Sequence, residues 1–283
     1  MADSALPTSP RQAYPSDLSD EQWGLLQPLI PPEKPGGRPR AVNMREVLNT
    51  LLYQSRTGCQ WGYLPHDLLP KSTVWDYFAR WRDDGTWQRI LDSLRRQVRA
   101  AAGRQEDPSA ACIDTQSVQT HHQGADSTVD GGKKVKGRKR HIVVDTLGLL
   151  LAVAVTGAAV HDGRSAPEVL GKLDGQTTRR LQVIFADSKY HTEPLQSWIA
   201  ERGLQYRIEV VSRPSSGRFE VIPKRWVVER TYAWLGYNRR LSKEYERTTQ
   251  SSEAWMQIGM IHLLTKRLKP KKGVPEFKYR NRC

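Results

Sequence analysis

Asp114, Asp187 and Glu229 are the residues from which chemistry is most readily built in this chain. They stand in Cys112-Ile113-Asp114-Thr115, in Ile184-Phe185-Ala186-Asp187 and in Val227-Val228-Glu229-Arg230. Each aspartate ends a short apolar run that reads as a buried strand, whereas the glutamate sits in a segment long enough for a helix. Carboxylates at the carboxyl ends of neighbouring strands, with one more from a helix packed across them, can hold two divalent ions about 3.5 to 4 Å apart for in-line phosphoryl transfer. Helical periodicity does not fix which way Glu229 faces: Val227, Val228, Thr231 and Leu235 mark one apolar side, and Trp226, Ala233 and Tyr237 mark another. Three rivals read differently. Asp145 immediately precedes Thr146-Leu147-Gly148 and reads as part of a hairpin turn. Glu244 and Glu246 lie among Lys243 and Arg247 and read as a solvated face. His121-His122 with Asp126 would suit a transition metal, while magnesium or manganese prefers hard oxygen ligands.

The elements that must position these groups change character along the chain. Residues 1–16, rich in Ser, Pro and Ala, read as disordered. Order is expected from Ser19-Asp20-Glu21-Gln22, a capping box opening a short helix that Pro31-Pro32 stops. A second helix is expected from Asn43, a third capped by Ser72, and a fourth capped by Thr86. The fourth carries Trp87, Ile90, Leu91, Leu94 and Val98 on one side. With its own apolar faces, the region 17–102 reads as a separate helical domain of helix-turn-helix size. From about Ser109 the pattern becomes strands: 111–117, a hairpin of 140–145 and 149–155, then 181–186 and 206–211, with helices over 192–202 and 224–238. That is a mixed α/β sheet with helices on its faces.

Forty-four Lys and Arg against thirty Asp and Glu give a net charge of +14, which favours nucleic acid over other partners. The longest apolar stretch, 147–160, is too short to span a bilayer, and no signal-peptide pattern opens the chain, so a cytoplasmic, nucleoid-associated protein is expected. The three cysteines show neither disulfide nor zinc spacing. Basic charge is densest in Lys133, Lys134, Lys136, Arg138, Lys139 and Arg140, read as a loop that guides DNA towards the carboxylates. Gly37-Arg38-Pro39-Arg40 fits an extended minor-groove contact and equally a proline-rich linker.

Four separated blocks carry a family resemblance: Gly58-Cys59-Gln60-Trp61-Gly62-Tyr63-Leu64-Pro65, Ile113-Asp114-Thr115-Gln116-Ser117, the run from Gly131 to Ile142, and Arg225-Trp226-Val227-Val228-Glu229-Arg230. In that order the chain resembles bacterial insertion-sequence transposases of the DDE superfamily, and is most similar to the insertion-sequence-five group. The resemblance implies a ribonuclease H-like catalytic domain over residues 109–268, a DNA-binding helical domain over 17–102 and a basic tail over 269–283. It implies Asp114, Asp187 and Glu229 as catalytic ligands for two Mg²⁺ or Mn²⁺ ions, cleavage at transposon ends, joining of the 3′-hydroxyls to target DNA, and a dimer or larger assembly on DNA. Lys189, Arg225 and Arg230 join the basic run, Arg38 and Arg40 as expected DNA contacts. Departures from the family pattern are Ser188-Lys189 after the second aspartate, and Ile222 and Gly236 where Tyr and Lys are usual. The same residues also admit a DNA-binding protein without catalysis, a degenerate transposase, or a nuclease without strand transfer.

Overall fold

Ser19 opens the first helix through a reciprocal capping box, its hydroxyl accepting from the Gln22 amide and the Gln22 side chain accepting from the Ser19 amide. The computed structural model describes residues 11–33, 36, 39–121, 126–211 and 225–271. Four helices come first: α1 (Asp20–Leu26), α2 (Met44–Thr57), α3 (Lys71–Asp83) and α4 (Thr86–Ala101). Asn43 caps α2 as expected. Capping at α4 differs from the expectation: the Asp84 carboxylate accepts from both the amide and the hydroxyl of Thr86. The chain is also ordered earlier than its composition implied. Arg11 pairs with Asp17 and Glu46 at 2.7 and 2.8 Å, tying residues 11–16 to α2; residues 1–10 lie outside the described part.

The sheet and its helices follow: β1 (Ala110–Gln119), β2 (Thr128–Asp130), β3 (Val135–Asp145), β4 (Leu150–Gly157), α5 (Asp162–Leu170), α6 (Gly175–Arg180), β5 (Val183–Ala186), α7 (Glu193–Glu201), β6 (Arg207–Val210), α8 (Trp226–Gly236) and α9 (Thr249–Leu268). Spatial order is β4–β3–β1–β5–β6, antiparallel through the first three and parallel from β1 to β6. Short β2 continues the β4 edge, because Gly137 of β3 has Gln119 on one side and Thr128 on the other. This is the ribonuclease H-like mixed sheet expected from the sequence. At Gly137 a Cβ would lie 1.9 Å from the Val118 carbonyl oxygen, so only glycine fits that crossing.

Each face of the sheet has its own core. Ala111, Ile113, Val143, Ala154 and Ile184 pack under α5 and α7. Cys112, Ile142, Val144, Leu150 and Phe185 pack on the other side, continuously with α8, α9 and the N-terminal helices. The helical region expected over residues 17–102 shares this core: α4 lies on α9, and Phe78 of α3 stacks on Trp255 of α9 at 4.9 Å. Arg99 of α4 forms a buried ion pair with Asp145, whose other oxygen accepts from the Leu147 and Leu149 amides of the hairpin turn. Residues 58–70 separate α2 from α3, and α4 is largely buried.

Nothing in the sequence pattern singles out helix α9. Its apolar residues run all round it, as they do in a helix buried on every side, so no single face stands out.

Candidate active site

The strand register brings Asp114 and Asp187 together. Cys112 pairs with Phe185 across the parallel β1–β5 ladder, and two further residues along each strand place Asp114 beside Asp187 on strands about 4.8 Å apart. Because side chains alternate with period two, both aspartates share the face of Cys112 and Phe185, which α8 and α9 cover. Asp187 also caps the 3-10 turn Ser188–Tyr190, its Oδ1 accepting from the Lys189 amide at 2.9 Å. Asp114 Oδ1 accepts from the Thr115 amide at 2.7 Å. Burial pushes the Asp114 carboxyl above its usual range, against the Thr115 hydrogen bond and the Arg225 charge, and neighbouring Asp187 adds to the rise. Two adjacent carboxylates of like charge, with Arg225 3.9 Å from Asp187 and the charges of Lys133 and Lys189 nearby, suit a hard divalent cation.

Glu229 occupies the first turn of α8 and is exposed. Its neighbours on the helix settle its direction. Arg225, four residues before it, reaches Asp187, and Tyr232, three residues after it, donates to the Arg140 carbonyl at 2.5 Å with the Asp114 carbonyl 3.2 Å away. Glu229 therefore lies on the helix face directed at the two aspartates. Its carboxylate stands apart from theirs, and among the described residues no three His, Cys, Asp or Glu side chains converge as a metal site. That includes His121 and Asp126; His122 lies outside the described residues.

The basic run is not a loop. Strand β3 begins within it, at Val135, and only Lys133, Lys134 and Lys136 are exposed. Arg138 and Arg140 are corrected from DNA contacts to structural cations, because both are buried against the segment before α9. Arg138 donates to the carbonyls of Glu246 and Arg247 at 2.9 and 2.8 Å, and Arg140 to those of Leu241 and Lys243 at 2.6 and 3.0 Å. Glu244, expected on a solvated face, is their fully buried counterion, 3.5 Å from Arg138 and 3.1 Å from Arg140. Glu246, expected beside it, is buried against Arg240 at 2.6 Å. Lys139 points to the opposite face and pairs with Asp162 at 2.9 Å, so it too is withdrawn from the surface.

The other expected contacts divide. Lys189 is half exposed and 3.3 Å from Asp162, which places a cation at the rim of the aspartate pair. Arg40 folds back to the Pro31 carbonyl at 2.9 Å, and Arg38 lies outside the described residues. Arg230 lies between the indoles of Trp226 and Trp234.

Behind the aspartates lies a polar network that no sequence motif announced. Thr115 Oγ1 is 2.7 Å from the Tyr190 hydroxyl and 3.1 Å from His141 Nδ1, while His141 Nε2 is 2.8 Å from Thr156 Oγ1. It ties the strand of Asp114 to the turn of Asp187. Burial lowers the His141 pKa from 6.5 to about 4. Between those values the unfolded chain binds the proton and the folded chain does not, so this residue's contribution to stability falls as pH drops through that window. The stability gap between wild type and His141→Gln is expected to narrow by about 3 kcal/mol from pH 7 to pH 4 in urea titrations. A constant gap would remove His141 as the source.

The chain is similar in sequence to known transposases. The family profile described as "Transposase DDE domain" matches residues 105–264, and one described as "Putative transposase of IS4/5 family" matches residues 18–91. A Burkholderia cepacia protein named "Putative transposase for insertion sequence element IS402" is 34% identical over 131 residues, covering 44% of this chain and 60% of that protein. An IS402 16.2 kDa protein from the same organism is 35% identical over 109 residues, covering 36% of this chain and 71% of its own length. The chain thus spans less than two thirds of the first of these relatives. Among solved structures, a Mos1 transposase paired-end complex with the left transposon end aligns over 85% of this chain and 81% of its own, with 12% identity and a TM-score of 0.29.

Proposed function

The chain belongs to the DDE-domain transposases, and on that footing we propose that it cuts DNA at the ends of an insertion sequence and joins the freed 3′-hydroxyls to target DNA. The observation that carries the proposal is the register of β1 against β5, which sets Asp114 beside Asp187 under the helix that bears Glu229. These three carboxylates would hold two Mg²⁺ or Mn²⁺ ions. Such ions supply activation of the attacking oxygen and stabilisation of the leaving one.

The protein's own groups do the remaining work. Arg225 orients Asp187, and Tyr232 fixes α8 against the backbone of Asp114. Exposed Lys133, Lys134, Lys136 and Lys189 offer phosphate contacts around the pair. Assembly of two or more copies on paired ends accompanies this reading. A cytoplasmic location does too; among the described residues no helix is long and apolar enough to cross a membrane.

A second reading, a DNA-binding protein without catalysis, draws on the separation of Glu229 from the aspartates. One assay separates them: a duplex carrying the terminal repeats is incubated with the full chain and Mn²⁺, and nicks and joined products are resolved on a gel. Nicking followed by joining is expected. Binding without nicking favours the second reading, and nicking without joining leaves a nuclease.

A further inference from the structure

On the outer side of α8, three side chains one turn apart form a stack that α9 extends. The Arg230 guanidinium lies 4.3 Å from the ring centre of Trp226 and 4.6 Å from that of Trp234, and the Arg267 guanidinium lies 4.2 Å from Trp234. The stack runs Trp, Arg, Trp, Arg. Among the described residues no ion pair joins either guanidinium to a carboxylate; Arg230 donates to the Leu147 carbonyl at 3.1 Å, and its Nε has no partner. Arg267 is exposed, and Trp226 keeps 39% of its surface in solvent. Lys266, beside Arg267 on α9, faces Arg56 and Lys271, again without a carboxylate partner.

A purely structural role accounts poorly for this arrangement. Cations in the last turn of α9 gain from the helix dipole, but Arg230 sits in mid-helix, where no terminus compensates it. Burial depresses both arginines against the attraction of Asp145, the Arg230 charge lowers Arg267 further, and burial with the charges of Arg56 and Lys271 brings Lys266 down to about 8. Arg230 and Arg267 are answered by Asp145, which is already paired with Arg99, so like charges held together here keep an attraction for a further anion. Aromatic stacking fixes each guanidinium plane, and exposed Arg267 presents N–H groups that suit phosphate oxygens.

We propose that this α8–α9 face, centred on Arg230 and Arg267, docks the sugar-phosphate backbone of duplex DNA without reading its sequence. The inference rests on the DNA-cutting function proposed above and adds a surface to it. Position supports it: Trp226 and Arg230 flank Glu229 along α8, so a duplex lying on the stack borders the face that looks towards Asp114 and Asp187.

Its test uses the full chain and the salt dependence of binding to two duplexes, one with the terminal repeats and one of unrelated sequence. Arg267→Gln is expected to weaken both equally and to lower the log-log salt slope by about 0.9 for each phosphate no longer neutralised. Arg267→Lys is expected to restore most of the slope, since counterion release needs charge, while the unfolding midpoints of all three proteins stay close. Unchanged slopes in both Arg267→Gln and Arg267→Glu overturn the proposal, as does a loss confined to the repeat duplex. Wild-type nicking, scored in the same preparations, keeps the two ideas apart. Nicking with an unchanged slope leaves the function standing and removes the surface; a lowered slope without wild-type nicking does the reverse.

Discussion

Asp114→Asn is expected to reduce Mn²⁺-dependent nicking by at least about 10³-fold, some 4 kcal/mol of transition-state stabilisation, while leaving the fold and DNA binding intact. The substitution is nearly isosteric. An asparagine Oδ1 can still accept from the Thr115 amide, so the strand end keeps its shape. What changes is charge: a neutral amide is a poor ligand for a hard cation, and the repulsion between residues 114 and 187 disappears. Binding to DNA is therefore expected to hold or tighten, and the thermal midpoint to hold or rise. Gel assays of nicking and of binding on the same duplex decide the matter; unchanged nicking would take Asp114 out of the site.

Removing residues 1–102 is expected to leave a chain without a cooperative fold. Phe78 and the apolar side of α4 cover α9, and without them Trp255, Ile258 and Ile261 meet water. Loss of Arg99 also strands the buried carboxylate of Asp145, and breaking a buried pair from one side costs about 3 to 5 kcal/mol. That is a large fraction of the roughly 5 to 15 kcal/mol by which a domain is stable. Near-ultraviolet circular dichroism and a urea titration of the 103–283 fragment test this, and a sigmoidal transition with native-like aromatic signals would refute it. In the full chain, Trp255→Ala is expected to cost about 3 to 5 kcal/mol and to keep one transition, because both helical layers rest on that ring.

Legibility followed the range of the interactions involved. Local signals were only partly legible: the Ser19 capping box, the Asn43 cap and the Asp145 turn are found, whereas α3 starts at Lys71 after Pro70 without the expected Ser72 cap, and Thr86 lies inside α4 instead of capping it. The two aspartates were legible because each ends a short apolar strand, and adjacent parallel strands need only a shared register to join them. Charge was misread where its partner is distant in sequence. Lys133 and Arg138 belong to one basic run, yet Arg138 meets Glu244 and the Glu246 carbonyl across more than a hundred residues, and nothing near either position reveals the match. Neutralising the whole run would thus mix two effects, removing exposed lysines and orphaning a buried glutamate. The shared core is hidden for a related reason: α4 shows a clean apolar stripe, but a stripe does not say which element covers it.

Because α9 closes the core shared by α4 and the sheet, a nascent chain on the ribosome has no finished interior until α9 emerges. At about 5 to 20 residues per second, α1 to α4 wait on the order of ten seconds with Phe78, Trp87 and Leu91 uncovered. Chaperones are the natural occupants of that surface in the interval. A message cut short before residue 249 is expected to yield a polypeptide that quality-control proteases recognise, instead of a stable truncated fragment.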